Sequence, residues 1–366
     1  MSTGLVCHEK YMWHDTGHAG IFIPAVGYVQ PAEHAESPES KRRIRNLLEV
    51  SGLIEQLVPI RPRIATRDEV LRYHTAAYID RIAALSNERG GDAGMTTPFA
   101  AGGFDIALLS AGGVIAAAEA VVDGTVDNAY ALVRPPGHHA EADMGKGFCL
   151  LANAVLGIRH VQATRGVERV AVVDYDVHHG NGTQNAFYEN PDVLTISIHQ
   201  DNCFPPNSGA IGDIGAGRGQ GYNINVPLPP GSGQGAYRAV MERVVVPAVT
   251  AFRPDLIVVP SGFDAGGFDP LGRMMLSSST YREIAATLKG LAGDLCAGRL
   301  LFTHEGGYSA VHVPFCAQAV IEELCDAKDR IEDPFEPILS GMGGHQLYPH
   351  QDQVISAAAK LAAKVK

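Results

Sequence analysis

Two aspartates and a histidine have the residue types and the spacing of a catalytic metal site. Asp176 and His178 stand two residues apart where an apolar run ends, so an extended chain would point both side chains the same way. Asp264 ends another apolar run. Two carboxylates and one imidazole leave a coordination position open, as catalytic zinc sites do, whereas structural zinc sites are usually closed by cysteines. We therefore predict that Asp176, His178 and Asp264 bind one ion.

Candidates for acid–base chemistry follow two further apolar runs. His138 and His139 come directly after the sequence RPPG at 134–137, which is stiff and turn-forming and could hold both imidazoles in place. Tyr308 follows Gly306 and Gly307, which would let the backbone approach closely and aim the phenol inward. Taken singly, such a histidine is more often a structural residue. Their conjunction with a metal site favours a catalytic role.

Apolar runs alternate with helical patterns along the chain, and these elements must position the polar residues. The run LIVV at 256–259 is typical of a strand buried on both faces of a parallel sheet. We predict strands at 3–7, 129–133, 170–173, 193–198, 256–259 and 300–303. We predict helices at 39–51, 68–85, 105–122, 152–162, 235–252, 280–296, 313–325 and 351–366. The fold class that follows is α/β, with a mainly parallel central sheet and helices on both faces.

Four of the predicted strands end in polar, glycine-flanked segments. Open parallel sheets bind ligands beyond the carboxyl ends of their strands, so all four segments should meet at one site. Because they are spread widely along the chain, we predict one domain over 1–366. Three long loops are expected around the site. The four segments are 134–139, 174–182, 260–264 and 304–308, and the loops are 11–30, 87–103 and 200–221.

Composition and charge argue against a nucleic-acid partner. Apolar residues make up 46% of the chain, which is enough for a sizeable core. The formal charge is −11, from 29 basic and 40 acidic residues. The one short basic run, 41–43, is expected on a solvated helix face. Binding to phosphates needs a cationic surface, whereas a negative field favours cationic substrates.

The cysteines and the apolar pattern predict a cytoplasmic protein without a membrane partner. None of the six cysteines forms a C-x-x-C pair, so reduced thiols are expected. The first residues lack a basic stretch followed by a long apolar one, so no signal peptide is predicted. We find no run of about 18 apolar residues that would predict a membrane span.

The polar segments resemble the signatures of a known family. The sequences RPPGHHA at 134–140, DYDVHHGNGTQ at 174–184, SGFDA at 261–265 and EGGY at 305–308 are similar to motifs of the histone deacetylase family, within the arginase/deacetylase superfamily. The resemblance extends from about residue 3 to about residue 325. Class I members have Asp where this chain has Asn181, and some class II members have His where it has Tyr308. The chain is therefore most similar to the class II-like bacterial histone deacetylase-like amidohydrolases and acetylpolyamine amidohydrolases.

This resemblance implies a fold, a metal ion and catalytic residues. The fold would be arginase/deacetylase-like, with one zinc ion per chain held by the three ligands proposed above. His138 and His139 would form a catalytic dyad with Asp174 behind the first ring and Asn181 behind the second. Tyr308 would complete the catalytic set.

The resemblance also implies structural potassium, a narrow acyl-lysine channel and a homo-oligomer. Phe148 and Phe204 match aromatic residues that wall the channel, although the sequence CFPP at 203–206 departs from the usual FFPG. One potassium site would use Asp174, Asp176, His178, Ser197 and Ile198, and a second would use Phe187, Asn190, Val193 and Tyr222.

The implied reaction is hydrolysis of an acetyl amide on a lysine-like or polyamine substrate, with release of acetate. The zinc ion would polarise the amide carbonyl and its water. His139 is the better base because neutral Asn181 orients its ring without holding a proton there, whereas Asp174 favours the imidazolium at His138. Tyr308 would donate a hydrogen bond to the oxyanion, and a histidine would protonate the leaving amine.

Two rival functions and the choice of substrate stay open. A two-manganese guanidine hydrolase would need further carboxylates, but Gly180 and the AGG sequence at 265–267 supply none. A non-catalytic acyl-lysine binder would not need the dyad and the tyrosine. Acetyl-lysine, acetylpolyamines and other acyl amides or esters all fit. His14, Asp15 and His18, near the expected rim, are interpreted as structural residues.

Overall fold

The computed structural model describes residues 2–366 and forms a single α/β domain. The strands are, in chain order, β1 (Thr3–Val6), β2 (His18–Gly20), β3 (Ile23–Pro24), β4 (Ala32–Glu33), β5 (Val58–Ile60), β6 (Gly90–Asp92), β7 (Gly94–Met95), β8 (Pro98–Ala100), β9 (Asn128–Ala131), β10 (Gly145–Lys146), β11 (Val170–Asp174), β12 (Val193–Gln200), β13 (Asn223–Leu228), β14 (Leu256–Ser261) and β15 (Leu300–His304).

The α-helices are α1 (Glu39–Val50), α2 (Arg67–Val70), α3 (Ala76–Asn87), α4 (Gly103–Val122), α5 (Asn153–Thr164), α6 (Asn181–Phe187), α7 (Gln234–Val240), α8 (Val246–Phe252), α9 (Ser278–Leu295), α10 (Val313–Leu324), α11 (Glu336–Ser340) and α12 (Pro349–Ala362). A π-helical turn, Met241–Val245, joins α7 to α8.

The central sheet has eight strands in the order β13-β12-β11-β14-β15-β9-β1-β5, and every pairing in it is parallel. From β11 the chain continues outward to β12 and β13, whereas β14 and β15 lie on the other side of β11. The strand order therefore reverses between β11 and β14. Ligands of such sheets bind at this reversal, beyond the carboxyl ends of the strands.

Successive side chains of a strand point to opposite faces of the sheet, and both faces are covered by helices. On β9, Tyr130 belongs to the larger core cluster, which includes residues of α1, α7, α8, α9, α10 and α12. Its neighbours Ala129 and Ala131 belong to a second cluster with residues of α4 and α5. The continuous apolar sequence of the strands follows from burial on both faces, as predicted.

All six predicted strands are confirmed, and the predicted helices are present with two differences. The helix expected at 68–85 is divided into α2 and α3. Thr75 begins α3 because its hydroxyl accepts a hydrogen bond from the backbone N–H of Tyr78 at 3.3 Å. The helix expected at 235–252 contains the π-helical turn. The predictions missed β4, β5, β10, β13, α6 and α11, and the loops predicted at 11–30 and 87–103 contain the short strands β2, β3, β6, β7 and β8.

Helix α4 is long and apolar enough to cross a membrane, although polar residues interrupt it, which is why the sequence shows no unbroken run of about 18 apolar residues. This helix has 20 residues and a mean hydropathy of 1.7 over an 18-residue window. Most of that window is buried inside the domain, between the sheet and α5. Core helices pass the same test of length and composition, and the burial explains the apolar sequence.

Candidate active site

The three predicted metal ligands converge at the strand-order reversal. Asp176 and His178 follow β11 and Asp264 follows β14, and all three are buried. His178 Nδ1 lies 3.1 Å from Asp176 Oδ1 and 3.1 Å from Asp264 Oδ2. Ligand atoms bound at about 2.0–2.1 Å to a tetrahedral zinc ion are separated by about 3.3 Å. The donor set and its spacing therefore fit one small divalent ion.

Backbone amides bind the second carboxylate oxygen of Asp176 and of Asp264, so these two oxygens are held away from the predicted metal position. Gly306 N–H donates to Asp176 Oδ2 at 2.9 Å, and Val177 N–H donates to Asp264 Oδ1 at 2.9 Å. Burial lowers the pKa of the His178 imidazole, but hydrogen bonds to Asp176 and Asp264 outweigh burial and raise it well above its usual range. Two buried carboxylates around one ring thus favour a cation at this point, which a metal ion would supply.

Glycine at two positions allows the ligand strands to approach this closely. A Cβ on Gly262 would lie 2.1 Å from Asp176 Oδ2, and a Cβ on Gly306 would lie 2.1 Å from Asp264 Oδ2. Neither space can hold a side chain, which explains the SGFD and EGGY sequences physically.

The two adjacent histidines have different hydrogen-bond partners. His138 Nδ1 pairs with Asp174 Oδ2 at 3.0 Å, and His139 Nδ1 pairs with Asn181 Oδ1 at 2.8 Å. The ring centroids are 3.9 Å apart. An amide oxygen only accepts, so Nδ1 of His139 carries the proton and its Nε2 is left as a proton acceptor.

The charges around the two rings separate their protonation states. Burial lowers the pKa of His138, but the carboxylates of Asp176 and Asp174 outweigh burial and raise it to about 10. Burial, together with the positive charges at His138 and His178, lowers the pKa of His139 well below its usual value. The geometry therefore supports an imidazolium at His138 beside a neutral imidazole at His139.

Glu305 holds the loop that carries the dyad. Its Oε2 accepts hydrogen bonds from the N–H groups of Gly137, at 2.7 Å, and His138, at 3.0 Å, while Oε1 accepts one from the Thr303 hydroxyl at 3.2 Å. His138, Cys149 and Glu305 also lie close enough together to be considered as metal ligands. Because Glu305 already accepts hydrogen bonds from two amides and His138 Nδ1 is paired with Asp174, we interpret Glu305 as a structural clamp on this loop.

Tyr308 is half-buried beside the metal ligands. Its backbone N–H donates to Asp269 Oδ2 at 2.7 Å, and Asp269 Oδ1 accepts from the N–H of Leu271 at 2.8 Å. Burial, Asp264 and Asp176 raise the pKa of the Tyr308 hydroxyl well above its usual value, so the phenol remains a hydrogen-bond donor.

A mainly apolar cavity of about 200 Å³ connects this site to the surface. Phe148 and Phe204 both line it, as the sequence predicted. The Phe204 ring meets that of His139 edge to face, with centroids 5.0 Å apart, and the Phe148 ring meets that of Tyr308 at 5.9 Å. The complete lining is Phe22, Thr96, His139, Gly147, Phe148, His178, Cys203, Phe204, Leu271 and Tyr308.

A buried ion cluster behind Tyr308 corrects one prediction. Lys41 was expected on a solvated face, but it is only 1% exposed, and its Nζ lies 3.3 Å from Glu36 Oε1. Arg134, also buried, donates from Nε to both carboxylate oxygens of Glu36, at 2.9 and 3.1 Å, and from Nη1 to the carbonyl of His14 at 2.6 Å. The position of Lys41 in α1 turns it inward, whereas the next two basic residues face solvent.

The predicted potassium residues lie along the chain from β11 to the start of β13. Asp174 and Ser197 are direct neighbours across β11 and β12. In the second set, the Phe187 carbonyl accepts from Asn190 N–H at 2.9 Å, and the Tyr222 carbonyl accepts from Thr195 N–H at 2.9 Å. Ion binding at either site stays a prediction.

Sequence reasoning missed the residues that support the site. Glu36, Lys41, Asp269 and Glu305 had no predicted role, and Phe22 and Leu271 were not predicted in the channel. Of these residues, Glu305 could have been found from the sequence, because it belongs to the recognised motif EGGY at 305–308. His14, interpreted as structural, is buried, and its carbonyl anchors Arg134. Asp15 accepts a hydrogen bond from Gly17 N–H at 2.8 Å, and His18 is exposed in β2.

The family model of the histone deacetylase domain matches residues 34–324 of this chain. The chain is 49% identical over 340 residues to a histone deacetylase-like amidohydrolase of Pseudomonas aeruginosa, covering 92% of this chain and 90% of that protein. It is 37% identical to a probable deacetylase of Archaeoglobus fulgidus, covering 84% of this chain and 82% of that one. The crystal structure of the HDA15 HD domain superposes with a TM-score of 0.85 at 32% identity, covering 99% of this chain and 94% of that one.

Proposed function

The chain belongs to the histone deacetylase family, and on that premise we propose that it is a zinc-dependent amidohydrolase that removes the acetyl group from acetyl-lysine side chains and releases acetate. One observation carries the proposal: Asp176, His178 and Asp264 converge with the histidine dyad and Tyr308 at the inner end of a narrow apolar channel. A zinc ion bound there would supply Lewis-acid polarisation of the amide carbonyl and would lower the pKa of water.

His139 acts as the general base in this proposal. Its ring is neutral, its Nδ1–H is held by Asn181, and its Nε2 can take a proton from water. His138 pairs with Asp174, whose negative charge favours the imidazolium, and so places a positive charge beside the reacting carbonyl. The dyad then returns a proton to the leaving amine, so acetate and the free amine are released.

Tyr308 stabilises the negative charge that develops on the carbonyl oxygen. Its hydroxyl stays protonated, and the hydrogen bond from its N–H to Asp269 fixes the backbone position from which the ring extends. A donor held in place before the reaction is more effective than water, because it needs no reorganisation as the charge appears.

The channel favours acetyl-lysine over acetylpolyamines. Its walls include Phe148, Phe204 and Leu271, which suit a stretch of methylene groups. None of its lining residues carries a carboxylate, so the distal ammonium of an acetylpolyamine would meet no opposite charge there. The backbone of an acetyl-lysine peptide is uncharged where it emerges from the channel, so a peptide avoids the cost of an unpaired ammonium.

An acetylpolyamine-specific enzyme is the second candidate, and the net charge of −11 favours it through long-range attraction of cations. The deciding experiment uses zinc-loaded protein and measures acetate release from an acetyl-lysine peptide and from acetylputrescine, and trifluoroacetate release from trifluoroacetyl-lysine. Of the two acetyl substrates, we expect the peptide to have the higher kcat/KM. A higher value for acetylputrescine would establish the alternative, and no hydrolysis of any of the three substrates would refute both.

Zinc stoichiometry tests the rival on the same fold. A two-metal guanidine hydrolase would bind about two metal ions per chain, whereas our proposal requires one. In residues 2–366, the second cluster of possible ligands is His138, Cys149 and Glu305, and its single carboxylate already accepts two amide hydrogen bonds. We expect one equivalent of zinc by metal analysis and no hydrolysis of arginine or agmatine.

Three further properties are proposed from the resemblance and the composition. Structural potassium should show as higher thermal stability in potassium chloride than in choline chloride. A homo-oligomer is supported by exposed apolar residues in the segment 21–28, including Phe22, Val26 and Tyr28, and light scattering would measure its size. A cytoplasmic location without nucleic-acid or membrane partners stays a prediction from the sequence.

A further inference from the structure

A buried cation lies directly behind Tyr308. Lys41 is the third residue of α1, and its Nζ is 5.5 Å from the centroid of the Tyr308 ring. Cations within about 6 Å of an aromatic centroid are attracted to the electron density of the ring, and the attraction is strongest where water is excluded. The neighbouring Arg42 side chain, by contrast, is 41% exposed and pairs with surface glutamates. Only Lys41 of the basic run reaches the site.

The positive charge of Lys41 is only partly neutralised. Glu36 is its ionic partner, at 3.3 Å, but both oxygens of that carboxylate already accept hydrogen bonds from Arg134. One negative charge is thus shared by two cations. Across residues 2–366, Lys41 Nζ makes no hydrogen bond of acceptable geometry. A lysine buried for packing alone would normally have its ammonium fully paired, so this arrangement needs another explanation.

We propose that Lys41 is a positioning residue that acts through Tyr308, holding its ring in place and making its hydroxyl a stronger hydrogen-bond donor to the oxyanion. A positive charge near the ring withdraws electron density from the phenol and so increases the positive character of the hydroxyl hydrogen. Water screens this effect only weakly, because Lys41 and Glu36 are buried. Glu36, which is itself held by Arg134, keeps the ammonium in position. The inference rests on the proposed function and adds a residue to it.

A double-mutant cycle between Lys41 and Tyr308 tests the inference. The variants are Lys41→Met, Tyr308→Phe and the double variant, compared with the wild-type protein in its zinc-loaded form on an acetyl-lysine peptide. In the wild-type background, Lys41→Met should lower kcat about tenfold and change KM by less than about twofold, because only transition-state stabilisation is lost. In the Tyr308→Phe background, the same change should alter kcat by less than about twofold, because the hydroxyl on which it acts is absent.

Matched controls separate this role from a general effect on folding. Arg42→Met removes a positive charge one residue along the same helix and should leave kcat unchanged. Thermal unfolding and zinc content are measured for every variant, and Lys41→Gln, which keeps a neutral polar group, replaces Lys41→Met if that protein does not fold. If Lys41→Met lowers kcat equally in the wild-type and the Tyr308→Phe backgrounds, or in neither of them, the inference is overturned. Absence of acetate release by the wild-type protein would instead overturn the proposed function.

Discussion

At the scale of single residues, chemically identical groups receive different roles from their partners. His138 and His139 are adjacent in sequence and nearly in contact, yet one faces a carboxylate and the other an amide. A negative partner favours the imidazolium and a neutral one does not, so protonation is decided by the atom behind each ring. Tyr308 completes the set as a hydrogen-bond donor. Burial raises the pKa of its hydroxyl, so the hydroxyl keeps its proton.

Tyr308→Phe should leave zinc binding intact and lower turnover. Loss of one preorganised oxyanion donor costs about 10²–10³-fold in kcat. The measurement is kcat for acetate release together with zinc content by metal analysis. Turnover at the wild-type rate would show that the hydroxyl has no part in the reaction.

Asp264→Ala should lose the metal ion. The substitution removes one of three ligands, leaves His178 with a single carboxylate partner and takes away the acceptor of the Val177 N–H. We expect less than stoichiometric zinc after dialysis and no measurable turnover. Asp269→Asn, which changes a buried carboxyl next to the site that is not among the three ligands, is the control and should keep its zinc. One full equivalent of zinc in Asp264→Ala would mean that the ligand set is wrong.

At the scale of secondary-structure elements, the site depends on contacts between the ends of neighbouring strands. β9 and β15 pair in the sheet, and Glu305, just beyond β15, binds the amides of the loop that follows β9. The metal ligands likewise come from β11 and β14, which pair with each other. Each catalytic loop is therefore held by the strand beside it.

Glu305→Ala should loosen the histidine loop, whereas Glu305→Gln should largely preserve it. Alanine leaves the N–H groups of Gly137 and His138 without a partner, at a cost of about 1–3 kcal/mol each in the free energy of unfolding, while a glutamine oxygen can still accept from them. Chemical denaturation and kcat are the measurements. Thr303→Val, which removes only the third hydrogen bond, is the milder control. Equal stability of the alanine and glutamine variants would contradict the clamp.

At the scale of the whole molecule, one buried ion cluster joins the N-terminal region to the catalytic half of the sheet. Glu36 and Lys41 lie around the start of α1, and Arg134 follows β9 almost one hundred residues later. Charges taken out of water are tolerated only when they are paired, so removing one partner is costly.

The charges in this cluster should make the free energy of unfolding depend on pH in the acid range. Burial alone would raise the pKa of Glu36, but Arg134 and Lys41 outweigh burial and lower it from 4.5 to about 2. A depressed carboxyl pKa contributes stability that is fully present above the unfolded-state value and is lost as the pH falls through the folded-state value. We expect Glu36→Gln to be less stable than wild type at pH 7 by on the order of 3 kcal/mol. That difference should shrink as the pH falls from 4.5 toward about 2.

Urea denaturation of both proteins across this range measures the effect. The control is Glu39→Gln, which alters a partly exposed carboxylate three residues later, at the start of α1. A stability difference that does not change with pH would show that Glu36 is not charged in the folded protein.

The sequence by itself determined the fold class, the six predicted strands of the sheet and the list of polar residues at their ends. It could do so because a strand buried on both faces must be apolar throughout, and because parallel strands present their carboxyl ends at one edge. Only the tertiary structure decided which groups support the site. Lys41 looked like part of a solvated basic run, and Glu36, Asp269 and Leu271 had no distinguishing neighbours in the chain. Their roles come from burial and from partners far away in sequence, and neither property is encoded in local spacing.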